Sequence, residues 1–264
     1  MKVSCAVLLV IIGVAAAGRP QLSIKLKDGN FADLGCLDPS ISWEASRKTG
    51  EIDFEGGINI VPQATNDFAS LPKSVWGKAS ASILGWGVSA RAAVGSANSS
   101  SADIEIEANE DQSDVSFKMF GSLTDLSFSA SKIEATKTMH ADGANISVTP
   151  RYDLDTEEGD LVMSYSKDDV KLEVMSSKQD HAVSYSQQLD DENRLGGSMT
   201  KSGSVSLEWE RALAGDKSVT AILKPNESID VEWNDDPWKV NMNIAIDGAS
   251  IVGPTVSITR DLTF

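Results

Sequence analysis

Chemistry requires nucleophiles, general bases or metal ligands brought within reach of one another, and this chain offers few candidates. Its two histidines, His140 and His181, sit in polar segments with no cysteine or second histidine at ligand spacing. A zinc site gathers three or four such ligands, so zinc is set aside. A Ser-His-Asp triad is allowed by residue count, but no nucleophile elbow accompanies it. The nearest approach to a metal loop is DLDTEEGD, with Asp153, Asp155, Glu157 and Asp160 as calcium candidates. The EF-hand pattern wants glycine sixth between helices, whereas here it is seventh and the flanks read as strands. A solvated acidic hairpin tip is the preferred reading. Paired carboxylates for glycoside hydrolysis need a defined separation, and among 39 acidic residues the sequence selects no pair. No catalytic residue and no cofactor is assigned.

Six tryptophans invite a carbohydrate-platform reading. Trp43, Trp209 and Trp233, however, fall in register with aliphatic neighbours, so core or interface packing is expected for them, because burying an aromatic contributes more than displaying it. Trp238, after Asn234-Asp-Asp-Pro, is the better candidate for exposure. Three sequons at Asn98, Asn145 and Asn226 are glycosylation candidates in a secretory setting.

The elements that must position these residues are strands. From Ser204 to Trp233 the chain reads as three alternating runs separated by two turns, with apolar residues at every second position. Val205, Leu207 and Trp209 match Ile229, Val231 and Trp233 at a spacing of 24, and Tyr165 matches Tyr185 at a spacing of 20. A two-strand repeat, hence a meander of hairpins, follows. Turn chemistry agrees at Ser166-Lys-Asp-Asp, Asp190-Asp-Glu-Asn, Ala214-Gly-Asp-Lys and Asn234-Asp-Asp-Pro. Gly56-Gly57 suggests a bulge inside a strand. No stretch shows a sustained helical period. The expected fold is all-β, an antiparallel meander of about 16–18 short strands, sandwich-like or an extended sheet, alternatively a closed barrel.

Three regions are expected. Residues 1–17, with Lys2, an apolar run and Ala15-Ala16-Ala17, form a secretory signal peptide. Residues 18–101 form an N-terminal β region with a less regular Ala/Ser/Gly-rich segment. Between Pro62 and Pro72 a short helical turn is expected, and the small residues of 78–94 suit either close sheet packing or lipid-facing strands. Residues 102–264 form the regular hairpin repeat. Loss of the leader moves the net charge from −16 to −17, which argues against nucleic acid or anionic membrane as a partner of the overall field. It also removes Cys5 and leaves Cys36 alone, so a disulfide framework is excluded; Cys36 is read as a buried thiol, the more common outcome, or an intermolecular link.

Several strings, VTPRYDL (Val148–Leu154), SQQLDDENR (Ser186–Arg194), SLEWERAL (Ser206–Leu213), LKPNESIDVEW (Leu223–Trp233) and SITRDLTF (Ser257–Phe264), resemble plastid-associated β-strand proteins of diatoms and related algae. Pyrenoid-shell proteins, which tile into a sheet around Rubisco, are the nearest functional class this resemblance implies. It covers roughly residues 145–264. The chain departs from such proteins after the leader, where Gly18-Arg19-Pro20 runs straight into a strand without the Phe and transit peptide of plastid import. The secretory lumen or an outer plastid compartment is therefore the expected location.

A sheet with one apolar face must cover it. The first expectation is a non-enzymatic structural protein on the secretory route that assembles with itself or other proteins through sheet faces and edges. The alternative is an outer-membrane-type β-barrel pore. In its favour, residues 256–264 alternate up to a final Phe264, a packing or interface candidate, as in closing barrel strands. Against it, Leu161–Ser166 and Ser228–Trp233 read as six-residue strands where about 9–11 are needed to span, and aromatics at 6% are thin for two girdles. A further alternative is a secreted carbohydrate-binding or hydrolytic β-sandwich.

Overall fold

The computed structural model describes residues 16–17, 21–26, 37–61, 72–96, 100–247, 250–251 and 253–263. It is all-β and antiparallel, with no helix among the described elements. The strands in chain order are β1 (Ala16–Ala17), β2 (Gln21–Leu26), β3 (Leu37–Thr49), β4 (Ile52–Ile60), β5 (Pro72–Ile83), β6 (Trp86–Gly95), β7 (Ser101–Glu110), β8 (Val115–Thr124), β9 (Ser127–Ala141) and β10 (Ala144–Asp153). They continue as β11 (Glu158–Lys167), β12 (Val170–Ser177), β13 (His181–Gln188), β14 (Asn193–Thr200), β15 (Val205–Leu213), β16 (Lys217–Lys224), β17 (Ser228–Asp235), β18 (Trp238–Asp247), β19 (Ser250–Ile251) and β20 (Thr255–Thr263).

From β2 to β18 each strand pairs with the next. β20 then pairs with β18 on one side and with β2 on the other, through Gln21↔Thr263 to Leu26↔Ile258. The succession thus returns to its start. Eighteen strands, β2 to β18 and β20, form a closed ring with no free edge. β1 lengthens the β2 side of β3 by pairing Ala16 with Ser46 and Ala17 with Ala45, and β19 pairs only with the end of β18. A ring of eighteen strands tilted by about 40° is about 35 Å across its backbone, too wide for side chains to fill.

Two-residue turns drive the hairpins. Leu84-Gly85, Asp125-Leu126 and Asp142-Gly143 each have positive φ at both positions, the twist that matches antiparallel strands. All the turns that follow odd-numbered strands from β3 to β17 lie at one rim and are two to four residues long. This rim, the short-turn rim, also receives the start of β2 and the end of β20. Strand lengths correct the sequence reading: β11 has ten residues rather than six, and β17 has eight. Ten residues tilted by about 40° rise about 25 Å, the height of a lipid-facing band, and the eight residues of β12, β13, β14, β16 and β17 rise about 20 Å.

β6 and β7 are paired from Trp86↔Glu110 to Ala93↔Asp103. Other expectations change. Gly56-Gly57 makes no bulge; the register shift falls at Asn59/Ile60, with another at Phe120/Gly121. Gly57 instead makes room for an indole, because a Cβ there would stand 2.5 Å from Nε1 of Trp76. A sandwich core is absent: among the described residues, Ala102 and Ala144 are the only buried hydrophobics. The helical turn expected between Pro62 and Pro72 lies outside the described residues, as do Cys36 and residues 1–15 of the expected leader.

Candidate functional site: the polar inner face of the ring

Residues opposite one another across a strand pair share a face, so the registers assign each strand residue to one side of the wall. Starting from Glu208, one side carries Gly196 and Ser186 in one direction. In the other direction it carries Ile222, Asp230, Asn243 and Thr255. Followed round the ring, this face stays polar. It includes Asp53, Lys78, Arg91, Glu107, Lys118, Glu134, Arg151 and Asp160. The other face carries Trp43, Ile58, Val75 and Val94 in one row and Trp209, Ala221, Val231 and Met242 in another.

Curvature tells which face is inside. On a closed wall, side chains of the concave side converge and shield one another, and those of the convex side diverge. Every large hydrophobic residue that is exposed on a strand belongs to the apolar face, including Phe117, Ile133, Met163, Tyr185, Leu195 and Leu207. The apolar face therefore points outward and the polar face lines the interior. Trp43 and Trp209, 37% and 38% exposed, stand on this outer face rather than in a core, and Trp233 shares it. Trp238 is exposed to the same degree as Trp209, at 38%, with the Arg260 guanidinium 4.7 Å above its ring. The Ala-rich segment divides in the same way, with Ser80, Ser82 and Ser89 inward and Ala79, Ala81, Ala90 and Ala92 outward.

The inner face is laced by ion pairs. Arg151 donates to Asp160 at 2.5 Å, Lys118 lies 3.3 Å from Glu107, and Arg194 reaches both Glu208 and Glu210 at 3.0 Å. Lys224 pairs with Asp230 and Lys239 with Glu232. Hydroxyls join neighbouring strands between these pairs, as in Thr136–Thr149, Thr138–Ser147 and Ser198–Ser206. Two aromatics also face inward: Trp76, with the Arg91 guanidinium 5.2 Å from its centroid, and Phe120, with Lys132 at 5.7 Å. A recess of about 610 Å³ lies against this wall, bounded by Thr220, Asp230, Glu232, Asn241, Asn243 and Ser257.

Among the described side chains, the outer face carries charge only near its rims. Arg47, Lys73, Glu110, Lys167, Arg211, Lys217, Asp235 and Arg260 lie within three residues of a strand end, and Lys137 stands opposite Val115, the first residue of β8. Aromatics gather on the same side near the short-turn rim. Phe54, Trp86, Phe117, Tyr165, Trp233 and Trp238 all lie within two residues of a strand end there, and the Trp86 and Phe117 rings meet at 5.9 Å. Phe128 and Tyr152 stand at strand ends of the opposite rim, so the outer aromatics are divided unevenly between the two rims. An apolar furrow of about 850 Å³ crosses the outer wall among Ile106, Ala108, Phe117, Met119, Ile133 and Pro150.

The metal candidates do not converge. Asp153 Oδ1 accepts the backbone N–H groups of Asp155 and Thr156 at 3.0 and 2.7 Å, closing its own turn, and Asp160 is held by Arg151. Asp155 and Glu157 stay exposed in that turn, the latter at φ 57°. Among the described residues no group of three His, Cys, Asp or Glu is placed to hold a metal. His140 touches Asn145 Oδ1 at 2.6 Å and Asp114 at 3.2 Å, whereas His181 meets Ser176 at 3.0 Å on another strand pair. Of the sequons, Asn145 lies on the inner face of β10 and Asn226 in an exposed turn at φ 62°. Asn98 and Phe264 lie outside the described residues. The residues the sequence reading missed are the inner-face charges themselves. Their signal was the polar half of each alternating strand.

No protein-family model matches the chain, and no curated protein matches it. Among solved structures, a triple mutant of Rhodopseudomonas blastica porin superposes with a TM-score of 0.43 at 14% identity, covering 93% of this chain and 99% of that one. A second mutant of the same porin gives 0.42 at 14% identity over the same shares. Neither bears on the resemblance to algal plastid proteins.

Proposed function

We propose that the protein is a membrane-spanning β-barrel pore that lets small hydrophilic solutes and ions pass. The single observation that carries this reading is the closed ring with its polar face inside and its apolar face outside and uncovered. An apolar outer band with charges only at its rims suits hydrocarbon, where a mid-wall cation costs about 2–4 kcal/mol. Closure satisfies every ladder hydrogen bond within the wall, as a bilayer demands. A polar interior about 35 Å across its backbone leaves an aqueous path. The aromatic gathering at the short-turn rim suits the headgroup level of one leaflet.

Assembly through strand edges, the first expectation from sequence, has less support because the ring leaves no edge to extend. Entry through a secretory leader would precede membrane insertion, and cleavage after Ala17 leaves all of β2 in place. The reading is tested by refolding the chain from residue 18 into detergent and adding it to a planar lipid bilayer. Stepwise conductance, with carbonate-resistant association in vesicles, is expected. A chain that stays soluble without detergent and adds no conductance overturns it.

A further inference from the structure

The inner wall is not electrically neutral, and its surplus is unevenly placed. Among the described side chains, fifteen carboxylates and ten cationic groups face inward by register. Seven of the ten cations are held in ion pairs. Glu44, Glu55, Asp103, Glu105 and Glu173 have no such pair among the described residues. Asp103 and Glu105 stand together on β7, on the inner face with Glu107. The mouths differ more strongly. The described turns of the short-turn rim hold eleven acidic residues and no basic one, and seven of the eight turns contribute. At the opposite rim the described turn residues include five acidic and two basic ones.

We infer that the pore prefers cations to anions, and that the preference is imposed mainly from the short-turn mouth, so that it depends on which side is dilute. This deepens the pore reading and rests on it. The cause is the summed field of the wall and mouth, with no binding site involved: fixed like charges around a passage raise the local concentration of counter-ions and exclude co-ions. Such a field is screened over about 10 Å at 0.1 M salt but reaches about 30 Å at 0.01 M. Carboxylates ringing a wide mouth therefore act across its opening only when the solution on their own side is dilute.

The test is a reversal-potential measurement on single pores in neutral-lipid bilayers under a tenfold KCl gradient applied in each direction. Both termini of the ring lie at the short-turn rim, so streptavidin binding to a C-terminal biotin identifies the chamber that this rim faces. The expected result is a potential of cation-selective sign in both directions, larger when the dilute chamber faces the short-turn mouth. Replacing Asp142, Asp168, Asp169 and Asp216 by Asn, which tolerates their turn conformations, should shrink the directional difference. Asp103→Asn with Glu105→Gln, on the wall towards the opposite rim, should reduce selectivity without removing the directional difference. Absence of conductance overturns the pore reading itself. Conductance that is unselective or anion-selective, or that has the same selectivity in both directions, overturns this inference while leaving the pore in place.

Discussion

Thr220 and Ala221 are neighbours on β16, yet they belong to different environments. Thr220 stands between Glu210 and Glu232 on the inner face, and Ala221 stands between Trp209 and Val231 on the outer one. The two sides of one wall follow opposite rules, since the strand alternates with a period of two. On the inside, polar groups are paired across strands and the remainder is available to water. On the outside, no charge appears away from the rims among the described side chains. This contrast teaches that hydrophobicity in this molecule does not mark a core. It marks the surface that meets the surrounding medium.

The largest expected effect tests this contrast directly. Ala221→Arg should destabilise the inserted protein by about 2–4 kcal/mol, whereas Thr220→Arg, one residue away and flanked by two glutamates, should leave insertion nearly unchanged. Urea titration in lipid vesicles, followed by tryptophan fluorescence, compares the two. Equal costs would remove the inside–outside assignment.

A smaller effect is expected where the wall is tightest. Gly57→Val would drive a side chain into the Trp76 indole and should cost about 1–3 kcal/mol by overpacking. Adding Trp76→Ala to that variant should recover much of the loss in the same titration. Failure to recover would place the strain elsewhere.

Ion pairs sharpen the comparison further. Arg151–Asp160 is half-buried on the inner face at 2.5 Å, while Arg211–Glu192 at 2.9 Å is exposed at the rim. Double-mutant cycles should give about 1 kcal/mol for the first and a few tenths for the second. An equal result would mean that the interior screens charge as well as bulk water does.

The smallest effect is pH-dependent and lies outside the wall. In the turn between β13 and β14, Asp190 is held below the ordinary carboxylate range. The cause is first the backbone N–H of Glu192, then the side-chain amide and backbone N–H of Asn193, with Arg211 adding attraction. A lowered folded-state pKa means that this contribution is fully present above the unfolded value of 3.8 and is lost as pH falls through the folded one. Protection of the Glu192 and Asn193 amides, measured against the unstructured-chain exchange rate at each pH, should therefore fall only in acid below pH 3.8. Asp190→Asn should weaken the pH response. An unchanged acid profile in that variant would show that the carboxylate does not hold the turn.

Much of the architecture was legible in the residues. Alternation from Val205 to Trp209 and from Ile229 to Trp233 marked β15 and β17, and the Tyr165–Tyr185 spacing marked the hairpin period that β11 and β13 follow. Strand length was harder to read. Glu158-Gly159-Asp160 looked like part of a turn or calcium loop because its polar residues and glycine are turn-formers. In the ring these residues begin β11, with Asp160 paired to Arg151. Polar residues at strand ends were likewise discounted, which shortened the expected strands and weakened the case for spanning. The inner-face site was present in the sequence as the polar partner of each apolar residue. Nothing local distinguished it from an ordinary solvated surface.

The sequence by itself determined the strands, their turns and the fact that each strand has two unlike faces. These are short-range matters of φ/ψ preference and a two-residue period. Only the tertiary structure decided which face is inside, because alternation is symmetric and says nothing of curvature. Closure joins Gln21 to Thr263 at opposite ends of the chain, and no local pattern encodes that meeting. Eighteen strands then fix an interior too wide to be filled by side chains. That width puts the polar face around open space and the apolar face towards whatever surrounds the ring.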